Sequence, residues 1–502
     1  MEIESAITQE KAGLLARVWG WFKPLPGKFK AKVLGVAKST KQLGKDDPRR
    51  VIHSLKVGLA LTLVSLFYYW RPLYDGIGIA GMWAVLTVVV VFEFSVGATL
   101  CKSLNRGLAT LLAGALGVGA QHLASLFADR EEPIVLGILV FLQAAASTFS
   151  RFFPRIKARY DYGVLIFILT FSMISVSGYR IEELLDMANQ RLYTILIGGA
   201  TCIFISIFVC PVWSGGDLHN LIASNIDKLA NYLEGFGDEY FQTSENEGCA
   251  TASTKNDKSF LQGYKSVLTS KGTEDSLANF ARWEPGHGRF LFRHPWKQYL
   301  KVGALARQCA YHIETLNSHI NADDVVQAPQ EFVRAIKPSC TKMSSESGKA
   351  LKALASAIKA MKHPTSANQH VDESKAAVDD LKMALESASN IEDTDLLTIV
   401  PTTTVASILV EIVKCVEKIS ESMHELSQLA QFKSVEPTVS PEKQLHLLHR
   451  GSVNPVLDGD DSTAFDDHVV IITVLDDQKA GKNTPEEIIE NVPQAPKPSG
   501  VV

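Results

Sequence analysis

Four ionisable residues stand inside or at the mouths of long apolar runs, and these offer the clearest chemistry in the chain: Lys56, Glu93, Arg106 and Arg191. A charge at the centre of a membrane helix costs about 2.5–3.5 kcal/mol on insertion scales, so each needs a reason to be there. By helix rise Lys56 lies roughly 8 Å from the cytoplasmic start of its run. Glu93 lies on the next run, which travels the opposite way, at a similar depth. A Lys56–Glu93 ion pair and a cation site tuned by a nearby carboxylate are both compatible with that placement. Arg106 opens a third run from the cytoplasmic side and Arg191 opens a sixth from the outer side. Each alone is explained by snorkelling to the interface. Together, cations at both mouths and one between them describe a basic funnel that concentrates anions and repels cations.

The types of residue that are missing narrow the chemistry further. Apart from Glu93, the apolar runs lack the series of carboxylates and histidines that marks a proton relay, which favours a channel over a coupled pump. There is no zinc motif, Walker loop or nucleophile elbow, so no enzyme activity, metal or cofactor is expected. The GALGVG string of the third run has no strand before it and reads as helix packing. His446 and His449 fall in a polar tail and read as solvated.

These residues are positioned by six stretches, near 51–70, 79–99, 104–126, 133–150, 162–178 and 190–213. Each is about long enough to cross a hydrocarbon core of roughly 30 Å as a helix. Tyr68 to Trp70, Trp83, Phe152, Phe153 and Trp213 mark several of their ends, as interfacial aromatics do. The arm before residue 51 carries eleven Lys or Arg between Lys11 and Arg50 against Asp46 and Asp47. That arm and the 151–161 loop, with Arg151, Arg155, Lys157 and Arg159, belong in the cytosol, because basic loops are retained there. The acidic loops at 127–132 and 179–189 belong outside, and both termini are then cytosolic. Ala109, Ala113 and Gly117 recur every four residues and would let a neighbouring backbone approach closely.

Charge is segregated along the chain, so the net value of −4 says little. The expected organisation is all-α: a basic N-terminal arm (1–50), a six-helix transmembrane bundle (51–213), a cytosolic helical domain (214–433) and an acidic disordered tail (434–502). In the third of these, Val405, Leu409, Ile412, Val416, Ile419, Met423, Leu426 and Leu429 form a stripe at spacings of three and four. A second stripe, Leu351, Leu354, Ile358 and Met361, stops at His363-Pro364. Further helices are expected near 217–245, 295–320 and 370–387. The basic arm with Trp19, Trp21 and Phe22 suits acidic lipid headgroups as well as it suits a topology signal. Its sequence lacks a signal-peptide pattern, so the first span is expected to target the chain. None of the seven cysteines falls in a segment expected outside the cell, so no disulfide framework is implied; Cys202 and Cys210 read as small hydrophobes of the sixth span.

Five strings, DPRRVIHSLKVGLAL (47–61), MWAVLTVVVVFEFSVGATL (82–100), YDYGVLIFILTFS (160–172), CPVWSGGDLH (210–219) and Trp283-Glu284-Pro285, resemble the plant aluminium-activated malate transporter family. The resemblance is dense over 47–320. It implies a dimeric anion channel, six spanning helices per subunit plus a cytosolic helical domain, passing malate and often inorganic anions. Basic pathway positions of the family match Lys56, Arg106 and Arg191, with Lys157 and Arg180 as further matches, and the family's acidic position in the second span matches Glu93. Membrane lipids and a second copy of the chain are the implied partners; nucleic acid is not. Only some family members respond to aluminium, and that trait is not carried over. A proton-coupled exporter of organic or aromatic acids is the alternative. The expected address is the plasma membrane; a short acidic dileucine string, Glu10 with Leu14 and Leu15, keeps the vacuolar membrane open.

Overall fold

The computed structural model describes residues 27–69, 81–128, 130–177, 181–242, 262–320, 329–388 and 396–433. Arg180, the N-terminal Trp19, Trp21 and Phe22, and the acidic tail lie outside the described residues. Within them the chain is all-helical, with no strand, in fourteen helices.

The first seven are α1 (Gly27–Asp46), α2 (Pro48–Tyr69), α3 (Met82–Val91), α4 (Val96–Ala124), α5 (Glu132–Ser150), α6 (Pro154–Ser177) and α7 (Ile181–Phe208). By length and apolarity Val96–Ala124, Glu132–Ser150, Pro154–Val176 and Asn189–Phe208 are each long enough to cross a membrane, and α3 is a shorter apolar helix. Helices α2, α3 and α7 close around Ala60, Val64, Ala84, Val88, Phe92, Cys202 and Ile205. Helix α4 packs along both α6 and α7. Its small-residue stripe is buried as expected: Ala113 is fully covered, and a Cβ on Gly117 would press 2.8 Å from Ile174 of α6. Absence of side chains at the crossing is what lets two backbones come this close. Many leucines on the other face of α4, such as Leu108, Leu112 and Leu116, are exposed.

The second apolar run is not one helix, contrary to the 79–99 expectation. Helix α3 stops at Val91, Phe92 turns extended (φ −71°, ψ 109°), and Ser95 caps the start of α4 by accepting the Ala98 N–H at 3.3 Å. Residues 96–99 thus join the third run in a single helix of 29 residues. The sixth run also ends early, at Phe208, and Cys210 adopts a positive φ of 44° and is exposed, rather than lying within a helix. The two interruptions satisfy each other. The Val96 N–H donates to the Val212 carbonyl (2.9 Å), and the Ser95 and Ser214 hydroxyls lie 2.6 Å apart. Irregular backbone beside apolar helices survives only where its polar groups find such partners.

The remaining helices are α8 (Ser214–Gln242), α9 (Lys265–Leu268), α10 (Lys271–Ala281), α11 (Trp296–Ile320), α12 (Gln330–Ala360), α13 (Thr365–Ala388) and α14 (Leu396–Leu429). They surround one continuous apolar core that includes Leu218, Ile222, Tyr232, Tyr299, Ile313, Leu351, Leu354 and Ile419. The stripe from Val405 to Leu426 is buried in it, against α11 and α12, although Leu429 at its end is exposed. Helix α14 is also apolar and long enough to cross a membrane. Its apolar face is already covered by neighbouring helices, and its opposite face pairs Glu417 with Lys375 and Glu425 with Lys301, so it reads as a core helix. Helix α12 runs through Pro338 and stops where Met361 takes the left-handed conformation, three residues before Pro364.

Candidate anion pathway

Lys56, on α2, is 3% exposed and has no carboxylate partner among the described residues. The expected pairing with Glu93 is not formed. Glu93 sits in the interruption after α3, which turns toward the first turns of α4, and its carboxylate takes Lys102 instead. The Glu93 N–H donates to the Thr99 hydroxyl (3.1 Å), which fixes the acid's position from the α4 side. His53, one turn before Lys56, packs its ring against Phe92 and Phe94 at 5.7 and 5.5 Å.

Arg106 follows Lys102 by four residues, so the two cations share a face of α4. Both meet Tyr162 of α6: the Arg106 guanidinium donates to its hydroxyl at 3.0 Å, and the Lys102 ammonium lies 5.7 Å from its ring centroid. Neighbouring Asn105 donates to the Arg159 carbonyl at 3.1 Å, which fixes the register of α4 against α6. Arg106 is 5% exposed, and its buried Nε has no hydrogen-bond partner among the described residues. Arg191, on α7, is 9% exposed; it lies 4.3 Å over the ring of Trp83 and reaches the Met173 sulfur at 3.2 Å. Trp83 therefore serves as a platform for a cation. Close contact between α7 and α3 depends on Gly198, where a Cβ would meet the Ala84 carbonyl at 2.7 Å. Lys157, by contrast, is exposed in the first turn of α6.

Three cations on three helices are thus buried with no carboxylate on any of them among the described residues; Arg106 rests on a hydroxyl, and Arg191 on an aromatic ring and a thioether. Buried charges are ordinarily paired, and a fixed carboxylate would cancel the attraction for a mobile anion. Lys102 was missed by sequence reasoning; its four-residue offset from Arg106 was the available signal. Arg49 was missed as well. It bonds Asp217 in the first turn of α8 (2.8 Å) and lies 5.8 Å from the Phe94 ring centroid, linking α2, the interruption and α8.

The Trp283-Glu284-Pro285 string follows α10. Glu284 is 6% exposed, and its two oxygens accept the N–H groups of Ser214 (2.6 Å) and Gly215 (3.0 Å) at the start of α8. The Gly97 N–H at the start of α4 also favours its charged form, so one carboxylate lies at two helix N-termini, where negative charge is favoured. Burial pushes its pKa up to about 7, against the opposing pull of the three N–H donors. Both glycines are required by space: a Cβ on Gly97 would overlap the Phe280 carbonyl, and one on Gly215 the Trp296 ring. Trp283 is half-buried and Pro285 exposed.

Ligand atoms of Glu346, His370 and Glu373 lie within 4.8 Å of one another, a spacing that a metal ion could use. Glu346 is already engaged by Lys349 (2.8 Å) and His370 (2.7 Å), which describes an ion-pair network joining α12 to α13.

The sequence pattern described as aluminium activated malate transporter matches residues 41–393. The chain is 52% identical over 452 residues to aluminum-activated malate transporter 2 of Arabidopsis thaliana, covering 90% of this chain and 87% of that one. It is 52% identical to aluminum-activated malate transporter 1 of the same plant, covering 89% of each, and 46% identical to aluminum-activated malate transporter 1 of Triticum aestivum, covering 81% of this chain and 88% of the relative. With these matches spanning the apolar helices, the interruptions and the Trp283-Glu284-Pro285 string alike, the chain belongs to the aluminium-activated malate transporter family.

Proposed function

We propose that the chain is the subunit of a plant anion channel that passes malate and other organic and inorganic anions. In this reading α2, α3 and α4 to α7 provide six crossings, α8 to α14 form a cytosolic helical domain, and two copies assemble in the plasma membrane with both termini in the cytosol. The observation that carries it is the set of buried cations without carboxylate partners, Lys56, Arg106 and Arg191. A dicarboxylate entering such a path loses part of its hydration and regains it from fixed positive charge, weakly enough to leave again. The names of the relatives, all malate transporters by title, support the same cargo. Lys102, held by Glu93 at the cytoplasmic mouth, is a charge that can be released toward the path by a change in the interruption; Lys157 and Arg180 belong to the outer reaches of the funnel.

Voltage clamp of the full chain in a heterologous membrane tests the proposal, with malate on one side and chloride on the other. A current whose reversal potential is set by the malate and chloride gradients and does not shift with the pH gradient is expected. A reversal potential that follows the pH gradient would replace the channel with a proton-coupled exporter.

A further inference from the structure

A cavity of about 410 Å³ lies between the end of α10 and the start of α11, and none of the buried cations of α2, α4 and α7 lines it. Arg282, Arg293 and Lys297 line it, and none of the three has a carboxylate partner among the described residues. The carboxylates nearby are committed elsewhere: Glu284 to the backbone of α8 and α4, Glu425 to Lys301 and Gln298. The deeper wall, with His294 and Trp296, is buried, and burial holds His294 and the adjacent His219 down to about 4, so both are neutral at cytosolic pH. Uncompensated positive charge therefore dominates the cavity. Arg282 is further pressed by the charge of Arg159 on the second turn of α6, where the expected 151–161 loop is already helical from Pro154, and α6 is tied to α10 by the Asn279 amide on the Ala158 carbonyl (3.0 Å).

The rim is apolar and protruding. Leu291 and Phe292 are 53% and 71% exposed, and Arg293 takes a positive φ of 63° that sets its guanidinium 5.6 Å from the Phe292 ring centroid. This loop is anchored beside the start of α8, where His287 stacks on Trp213 with ring centroids 3.7 Å apart. On the membrane reading above, on which this inference rests, α10 meets α6 at Ala158 and Arg159, next to its cytosolic end, where Phe152 and Phe153 are exposed, and this puts the cavity near the cytosolic interface. Two exposed apolar side chains beside an unpaired cation cluster at that level match a lipid whose head is anionic and whose tail is apolar.

We propose that this cavity binds the phosphorylated headgroup of a cytosolic-leaflet phospholipid, with Leu291 and Phe292 seated among its acyl chains. Arg282 and Arg293 supply planar guanidinium donors to phosphate oxygens, and Lys297 adds a point charge. A free phosphate ester in the cytosol carries the same head chemistry, so the apolar pair is what separates the two sources.

The test uses the full chain in nanodiscs of phosphatidylcholine with 5% added phosphatidylinositol 4,5-bisphosphate, a loading of roughly one lipid in twenty chosen to resemble an anionic leaflet. Retained lipid is read by native mass spectrometry, and inositol trisphosphate is titrated separately as the soluble probe. Wild type is expected to retain the phosphoinositide over phosphatidylcholine by at least tenfold, and Arg282→Gln/Arg293→Gln/Lys297→Gln to lose that preference. Leu291→Ser/Phe292→Ser is expected to lose lipid yet still bind inositol trisphosphate. Should the triple variant fail to fold, Arg293→Gln, in an exposed loop, carries the test with an expected loss of at least threefold. Unchanged retention in the cation variants overturns the site, and unchanged retention in the Leu291/Phe292 variant overturns the lipid in favour of a soluble anion. Voltage clamp of the full wild-type chain in a heterologous membrane keeps the two proposals apart: absence of anion current there with intact lipid retention in nanodiscs refutes the channel alone, and failure to insert into nanodiscs refutes the membrane reading itself.

Discussion

Replacing Glu284 by Gln removes one titrating group from the junction of α4, α8 and α10, and its effect on stability can be worked from the structure. In the unfolded chain this carboxyl titrates at 4.5; in the fold it is raised to about 7, chiefly by burial, with Asp217 adding a smaller push in the same direction. A carboxyl whose pKa is raised on folding binds its proton more tightly in the native state. Its contribution is complete below pH 4.5 and is lost as pH rises through 7. At about 1.4 kcal/mol per pH unit, the loss sums to about 3 kcal/mol between those limits. Gln cannot titrate. It keeps one oxygen for the α8 N–H groups and sets a constant offset instead. Thermal midpoints of the detergent-solubilised full chain, followed by tryptophan fluorescence from pH 5 to pH 8, should show wild type losing ground to Glu284→Gln as pH rises. At roughly 2–4 °C per kcal/mol for a domain of 150–250 residues, the gap should move by about 6 °C or more. A gap that stays constant over this range would refute the reasoning, because it would mean that the three N–H donors cancel the effect of burial.

Other perturbations have equally definite outcomes. Arg191→Glu should cut anion current at least tenfold in voltage clamp, roughly the effect of a 1.4 kcal/mol change in ion stabilisation, with surface protein unchanged. Glu274 is fully buried and bound to Arg307, Ser270 and Asn225, so Glu274→Ala should destabilise the fold by about 3–5 kcal/mol in thermal or denaturant unfolding. Gly215→Ala should cost about 1–3 kcal/mol through overlap with the six-membered ring of Trp296, and Trp296→Phe in the same chain should recover part of it. The Glu93–Lys102 pair is about one-third exposed on each side, so a double-mutant cycle on stability should give a coupling of only about 0.2–1 kcal/mol.

Much of the architecture was legible because it rests on local periodicity. The spacing of Ala109, Ala113 and Gly117 announced a close helix crossing, and the stripe from Val405 to Leu426 announced a core face; both are buried as read. The interruption at 92–95 was not legible, since Phe-Glu-Phe-Ser contains neither Gly nor Pro and the apolarity continues on both sides. What stops the helix is a distant partner, the Val212 carbonyl, together with the Ser95 cap. From that one misplaced break came the mistaken Lys56–Glu93 pairing, because the depth of Glu93 was counted along a helix that ends two residues earlier. Lys56, Arg106 and Arg191 could be picked out by charge against an apolar background, but their supports could not. Trp83 reaches Arg191, and Tyr162 reaches Arg106, across separations that only the packed helices decide. Glu284 was noticed as part of a string, while its role in joining two helix starts depends on residues 69 and more positions away.

The two interruptions that hold each other, through Val96 and Val212, mean that α4 and the exit from α7 share a fulcrum. Glu284 grips the same point from the far side through Gly97, Ser214 and Gly215. A displacement of α8 against α4 would therefore act on the root of α4, within three turns of both Lys102 and Arg106. Lys102 and Arg106 share a face of that helix, so tilting its root would move the two positive charges together.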